Sequence, residues 1–164
     1  LKNGRWEGRK TEIELLHGDA RSFPEKRNRK FDAVYLDAFS PDRNPELWTY
    51  DFIRKLAAAM KDDAVLATYS SAFPVKGALL RAGLHLGESP AFGRKKQGTI
   101  ASKDSSLITN PPQEKEINII TRSTAGLAYR DPGLTGTPGK IADTRKKTVD
   151  RLRKSGIPKW YKEN

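Results

Sequence analysis

Residues 32–37 read Asp-Ala-Val-Tyr-Leu-Asp (DAVYLD), a short apolar run that ends where Asp37 opens a polar turn. A buried parallel strand has this form: with both faces covered the run is continuously apolar, and polarity returns only where the chain leaves the sheet. Residues 13–18 have the same form, and both runs read as central strands. Working outward, the Pro-rich loop 40–45 leads into residues 46–60, where Leu47, Phe52, Leu56, Ala59 and Met60 recur at roughly helical spacing.

The pattern then repeats. Residues 64–69 are a third strand, and 73–82 a helix with Leu79 and Leu80 facing inward and Gly83 as its stop. Alternating strands and helices predict an α/β fold built on a mostly parallel sheet. Residues 84–88, 99–102 and 117–121 follow as strands without helices between them, so the sheet is expected to end in an antiparallel carboxyl-terminal hairpin, with 103–113 as its loop. From Thr137 a proline and then Ile141, Val149 and Leu152 among many charges predict one exposed basic helix ending near Ser155 and Gly156.

Composition narrows the chemistry. The 164 residues include no cysteine and two histidines, so a disulfide framework and a thiolate metal site are excluded and metal-free chemistry is expected. No stretch approaches the roughly 20 consecutive apolar residues of a membrane span, and the amino terminus has no apolar signal-peptide core. A soluble, cytoplasmic protein is the expectation. Lys and Arg number 31 against 20 acidic residues, a net charge of +11. Residues 1–43 and 44–121 each carry 10 basic and 8 acidic groups, whereas 122–164 carry 11 and 4. The excess is therefore appended to the core, as a phosphate-backbone binder would have it; a merely solvated surface is the plainer account.

Leu36-Asp37-Ala38-Phe39-Ser40-Pro41, followed by Asn44-Pro45-Glu46-Leu47-Trp48-Thr49, is the most informative stretch. It resembles the methyltransferase domain of the bacterial tRNA 5-methylaminomethyl-2-thiouridine biosynthesis proteins (the MnmC family), in which a strand ends in a similar motif and continues to Asn-Pro-x-x-Trp. Further similarities follow in Gly18-Asp19-Ala20, Leu66-Ala67-Thr68-Tyr69-Ser70, residues 79–83, Gly93-Arg94-Lys95-Lys96 and residues 98–102. Together they span about residues 6–103. The tail, with Tyr129-Arg130-Asp131-Pro132, looks more weakly like stand-alone members without a fused flavin oxidase domain, and no flavin fingerprint is present in the chain.

The resemblance implies a Rossmann-like class I methyltransferase fold, S-adenosylmethionine as donor, tRNA as partner, and methylation of the aminomethyl group of a wobble 5-aminomethyl(-2-thio)uridine. Residues 1–122 would be a partial methyltransferase domain and 123–164 a basic tail with a helix. The chain begins with Leu, and no glycine-rich strand-to-helix turn precedes its first strand; the fold is therefore expected to be truncated at its amino terminus. In class I methyltransferases the first strands lie between the strand before Asp19 and the strand ending in Asp37, so a gap or unpaired sheet edge is expected there, with weak donor binding by the chain alone.

Several residues follow as candidates. Methylating an alkylamine needs a free lone pair, and Asp37 is placed to accept the proton or orient the nitrogen; by itself an aspartate at a strand end is more often a turn cap. Gly18, Asp19 and Ala20 form the turn where class I methyltransferases set an acidic group against the donor's adenine, though Asp19 equally suits a turn. Phe39 and Trp48 would flank an extruded uridine, with Pro41 and Asn44 in the same substrate loop; Trp48 is as well suited to the core. Arg94, Lys95 and Lys96 suit tRNA phosphates, or are simply a solvated loop. Two rivals stand beside this reading: a basic RNA-binding module without catalysis, and a related methyltransferase with another acceptor.

Overall fold

In a computed structural model that describes residues 4–23, 30–90 and 97–162, the DAVYLD run forms strand β3 (Phe31–Tyr35). It pairs in parallel with β4 (Met60–Thr68), Ala33 opposite Val65 and Tyr35 opposite Ala67. The connection is helix α1 (Tyr50–Ala59), capped by Thr49, whose hydroxyl accepts the Phe52 amide at 3.2 Å. Helix α2 (Phe73–Arg81) returns the chain to β5 (His85–Glu88), and Gly83, at φ +83°, takes the left-handed turn that ends the helix. Strand β6 (Thr99–Ser102) then runs antiparallel to both β4 and β5, giving the order β3-β4-β6-β5. The α/β architecture and its antiparallel end are therefore as expected, with the hairpin formed by β5 and β6, but among the described residues only the β3–β4 pairing is parallel, so the sheet is mixed rather than mostly parallel.

Two expected strands are not strands of this sheet. Residues 117–121 lie in helix α3 (Glu114–Arg122). Their β-branched isoleucines suggested a strand, but Glu114 and Glu116 in the first turn and Arg122 in the last complement a helix dipole, and Ile117 and Ile120 fall on one helical face. Packing confirms the outcome: Ile120 is buried, and a Cβ on Gly126 would collide with its carbonyl oxygen. A Cβ on Gly77 of α2 would in turn collide with the Gly126 carbonyl, so α2, α3 and the turn Thr124–Gly126 meet backbone to backbone.

The other is the run 13–18. Only Glu12–Glu14 (β2) is a strand, paired antiparallel with β1 (Arg5–Glu7) in a separate two-stranded sheet. Ile13, Leu15 and Leu16 are 49%, 49% and 41% exposed, because no described strand lies beside them to bury them. Strand β3 likewise pairs on one side only among the described residues, which is the gap the sequence led us to expect.

The last quarter of the chain is packed into the domain. The core that holds Trp48, Ile53, Leu66 and Leu79 also holds Ala128, Tyr129 and Ile141. Tyr129 bridges to Thr49 and accepts the Tyr50 amide at 3.0 Å. The expected basic helix is α4 (Pro138–Lys154), capped by Thr137, with Ile141 and Val149 inward.

Candidate active site

The chain leaves β3 through Leu36, whose amide still bonds the Ala67 carbonyl at 2.9 Å, and Asp37 follows, exposed. Extending the β3–β4 register two residues past Tyr35 and Ala67 brings Asp37 level with Tyr69, both at the carboxyl ends of parallel strands. There they share a hollow of about 600 Å³ with Ala38, Phe39, Ser40, Asn44 and Leu47. Ligands of open α/β sheets bind at this end.

Four hydrogen bonds fix the loop. The Arg43 and Asn44 amides both donate to the Ser40 carbonyl at 2.9 Å. Trp48 Nε1 donates to the Phe39 carbonyl at 2.7 Å, and the Tyr69 hydroxyl donates to the Ala38 carbonyl at 2.8 Å. The two rings meet edge to face with centroids 6.1 Å apart. With both carbonyls tied down, the Asp37 carboxylate and the Phe39 ring, 77% exposed, are left to the solvent side.

Of the two readings of Trp48, the structure selects the core: the residue is 0% exposed, and a fully buried ring has no face to offer a base. The second exposed ring at the hollow is Tyr69, half-exposed, which sequence reasoning quoted within a motif without giving it a role. Its place one residue beyond the end of β4 was the available signal. Asn44 lines the hollow and makes no side-chain bond to the turn Pro45–Trp48 that it precedes. Pro41 is half-buried and is not part of the hollow's wall. Arg94, Lys95 and Lys96 lie outside the described residues.

On the other flank, Gly18, Asp19 and Ala20 make the turn after β2. Asp19 caps the short turn Ala20–Ser22 and accepts the Arg21 amide at 2.9 Å. Arg21 also grips its carboxylate, Nε at 3.1 Å from each oxygen and Nη2 at 2.7 Å. That guanidinium holds the Asp19 carboxyl below the usual carboxylate range. Between this turn and β3 runs a groove of about 580 Å³, bordered by Glu14, Leu16, Ala20, Ala33 and Leu36. Leu36 and Asp37, consecutive in sequence, thus line the groove and the hollow respectively.

The groove suits a nucleoside-sized donor: its volume falls within the usual range of ligand sites, its wall is mostly apolar, and the half-exposed Asp19 carboxylate stands by its turn. The fit is to one wall, since no glycine-rich phosphate-type turn occurs in residues 1–164. Among the described residues no group of three or more His, Asp or Glu side chains is placed to hold a metal, and no helix is long and apolar enough to cross a membrane.

Comparison with known proteins bears on this arrangement. A family model described as S-adenosyl-L-methionine-dependent methyltransferase matches residues 2–104, more than half of the chain. An uncharacterized protein of Methanocaldococcus jannaschii is 39% identical over 145 residues, 88% of this chain and 41% of the relative. The tRNA 5-methylaminomethyl-2-thiouridine biosynthesis bifunctional protein MnmC of Ralstonia nicotianae is 40% identical over 90 residues, 55% of this chain and 14% of that protein. Among solved structures, MNMC2 from Aquifex aeolicus superposes with a TM-score of 0.78 at 35% identity, covering 89% of this chain and 48% of that one. The chain therefore spans less than half the length of these relatives.

Proposed function

The chain belongs to the S-adenosylmethionine-dependent methyltransferase family, and on that premise we propose that the protein methylates the aminomethyl nitrogen of a wobble 5-aminomethyluridine, with or without a 2-thio group, in tRNA. The observation that carries the reading is the exposed carboxylate of Asp37 at the lip of a hollow with two exposed aromatic rings, directly beside the groove bordered by Leu36. Likeness to relatives named for this tRNA modification supports the acceptor.

The donor, when bound, supplies an electrophilic methyl group on a sulfonium, and Gly18, Asp19 and Ala20 are the residues here that would hold it. The chain's own chemistry centres on Asp37. An alkylammonium has no lone pair, so its carboxylate accepts the proton and keeps the freed amine oriented. Phe39 and Tyr69 offer rings for an unstacked base, while Trp48 shapes the loop from behind. Asn44 supplies an amide for a base edge, Pro41 stiffens the loop, and Arg94, Lys95 and Lys96 contribute charge for phosphates.

The test is methyl transfer from labelled S-adenosylmethionine to tRNA carrying 5-aminomethyluridine, followed by nucleoside analysis, with Asp37→Ala in parallel. At saturating donor, methylaminomethyluridine formed by the protein and not by the variant is expected. Label in another nucleoside would point to a different acceptor, and tRNA binding without transfer to a module that has lost catalysis.

A further inference from the structure

Helix α4 presents two different rows of side chains. Inward lie Ile141 and Val149, buried, with Leu152 half-buried. Arg145 turns inward with them, Nε donating to the Leu127 carbonyl at 2.7 Å and the guanidinium lying 5.0 Å from the Tyr129 ring centre. Outward lie Lys140, Lys147, Arg151 and Lys154, all exposed. At about 100° per residue these four fall within roughly 60° of one another, a stripe about 21 Å long at 1.5 Å of rise per residue.

A solvated helix commonly interleaves opposite charges into i,i+4 pairs, and this one has the residues to do so in Asp143 and Asp150. It does not use them: among the described residues none of the four cations makes a salt bridge, although ion pairs form elsewhere in the domain. The stripe is four cations without a salt bridge on a docked helix, flanked on one side by the Asp143 and Asp150 carboxylates.

Its placement matters as much as its charge. Helix α4 packs against the turn Pro45–Trp48, which continues directly from Asn44 and contributes Leu47 to the wall of the Asp37 hollow. The stripe lies on the side of α4 away from that contact, so a polyanion laid along it runs about one helix diameter, roughly 10 Å, from the turn that walls the hollow. A nucleic-acid strand carries one phosphate per roughly 3.4 Å of helix axis, so the stripe matches about six successive phosphates.

We propose that the outer stripe of α4 (Lys140, Lys147, Arg151, Lys154) is a docking surface for the sugar-phosphate backbone of the tRNA whose base enters the Asp37 hollow. The proposal rests on the tRNA reading above. It assigns backbone positioning to α4 and base selection to the hollow, so the two parts are separable by mutation.

The experiment measures tRNA affinity of the protein across a salt series. Changing Lys140, Lys147, Arg151 and Lys154 together to Gln is expected to weaken binding at least 10-fold and to flatten the log affinity against log salt slope by two or more, since each lost phosphate contact removes about 0.7–0.9. A charge-matched variant with Arg9, Lys10, Arg54 and Lys115 changed to Gln is expected to keep the slope, and the change of Lys140, Lys147 and Lys154 to Arg to keep the affinity. Thermal denaturation checks that each variant is folded. Equal losses from both Gln sets, or an unchanged slope from the α4 set, would overturn the proposal, as would binding to phosphatidylserine vesicles without binding to tRNA. Methyl transfer at saturating donor separates the two ideas: if the protein binds tRNA through α4 yet labels a nucleoside other than 5-aminomethyluridine, the acceptor is wrong and the surface stands.

Discussion

Arg21 and Asp131, 110 residues apart, are joined by a charged bond of 2.8 Å between Nη1 and Oδ2, and Arg21 uses the same guanidinium to hold Asp19. The turn assigned to the donor is therefore set by the tail. Both side chains of the pair are nearly sealed from water, at 11% and 7% exposure, so breaking it strands a carboxylate. Arg21→Ala is expected to cost about 3 kcal/mol, read as a lower urea midpoint with unchanged slope. Because Asp19 loses its grip at the same time, donor affinity should fall in the same variant, measured by calorimetry at a temperature where it is folded.

Asp51 gives a pH signature. Burial pushes its carboxyl up, but the two-pronged Arg130 guanidinium, at 3.0 and 3.1 Å, and the Asp131 amide, at 2.7 Å, outweigh burial and hold it below the usual carboxylate range. A lowered folded value means the carboxylate stabilises the protein above the unfolded pKa, about 4, and that this contribution disappears as pH falls through the folded value. Asp51→Asn should cost about 2 kcal/mol at neutral pH, since Arg130 is itself part-exposed, and the gap to wild type should narrow in urea titrations taken from about pH 5 downward.

Tyr69 separates shape from hydrogen bonding. Tyr69→Phe keeps the ring and loses only the bond to the Ala38 carbonyl, so methyl-transfer kcat/KM should fall a few-fold. Tyr69→Ala removes the wall of the hollow, and with about 1–3 kcal/mol per stacked base, kcat/KM should drop by roughly 5- to 150-fold. Equal effects of the two changes would mean that the hydroxyl alone matters.

Gly77→Ala sets two effects against each other. Alanine gains about 1 kcal/mol of helix propensity inside α2. The new Cβ, however, meets the Gly126 carbonyl, which is itself held against Ile120 by backbone, so nothing flexible can yield. Overpacking should win, leaving a net loss of about 2 kcal/mol by thermal denaturation, and Gly126→Ala should behave alike.

The 164-residue chain by itself should bind S-adenosylmethionine weakly, because its residues form one wall of the groove. Calorimetric titration giving a submicromolar Kd would show that this wall suffices.

Where the sequence was legible, local chemistry and tertiary demand agreed. The run 32–37, the loop after it, and a helix stopped by Gly83 each carry their own signal in period, cap or turn residue. Residues 117–121 misled because five β-branched or polar residues weigh little against a face of α2 that must be covered. Trp48 and Tyr69 exchanged places for a related reason: which ring is sealed and which lines the hollow depends on the level of β3 against β4, a distance in space that spacing along the chain does not report. The α4 stripe was visible as excess charge, but the packing of its helix against the turn at 45–48 was not.

The packing of the tail also has a timing consequence. Ala128, Tyr129 and Ile141 complete a core whose sheet is finished at Ser102, so during synthesis the sheet waits for chain not yet made. At 5–20 residues per second, the interval from Ser102 to Ile141 lasts about two to eight seconds. For that time the faces that α4 and Tyr129 later cover are bare, and the newborn chain exposes most apolar surface just before α4 emerges.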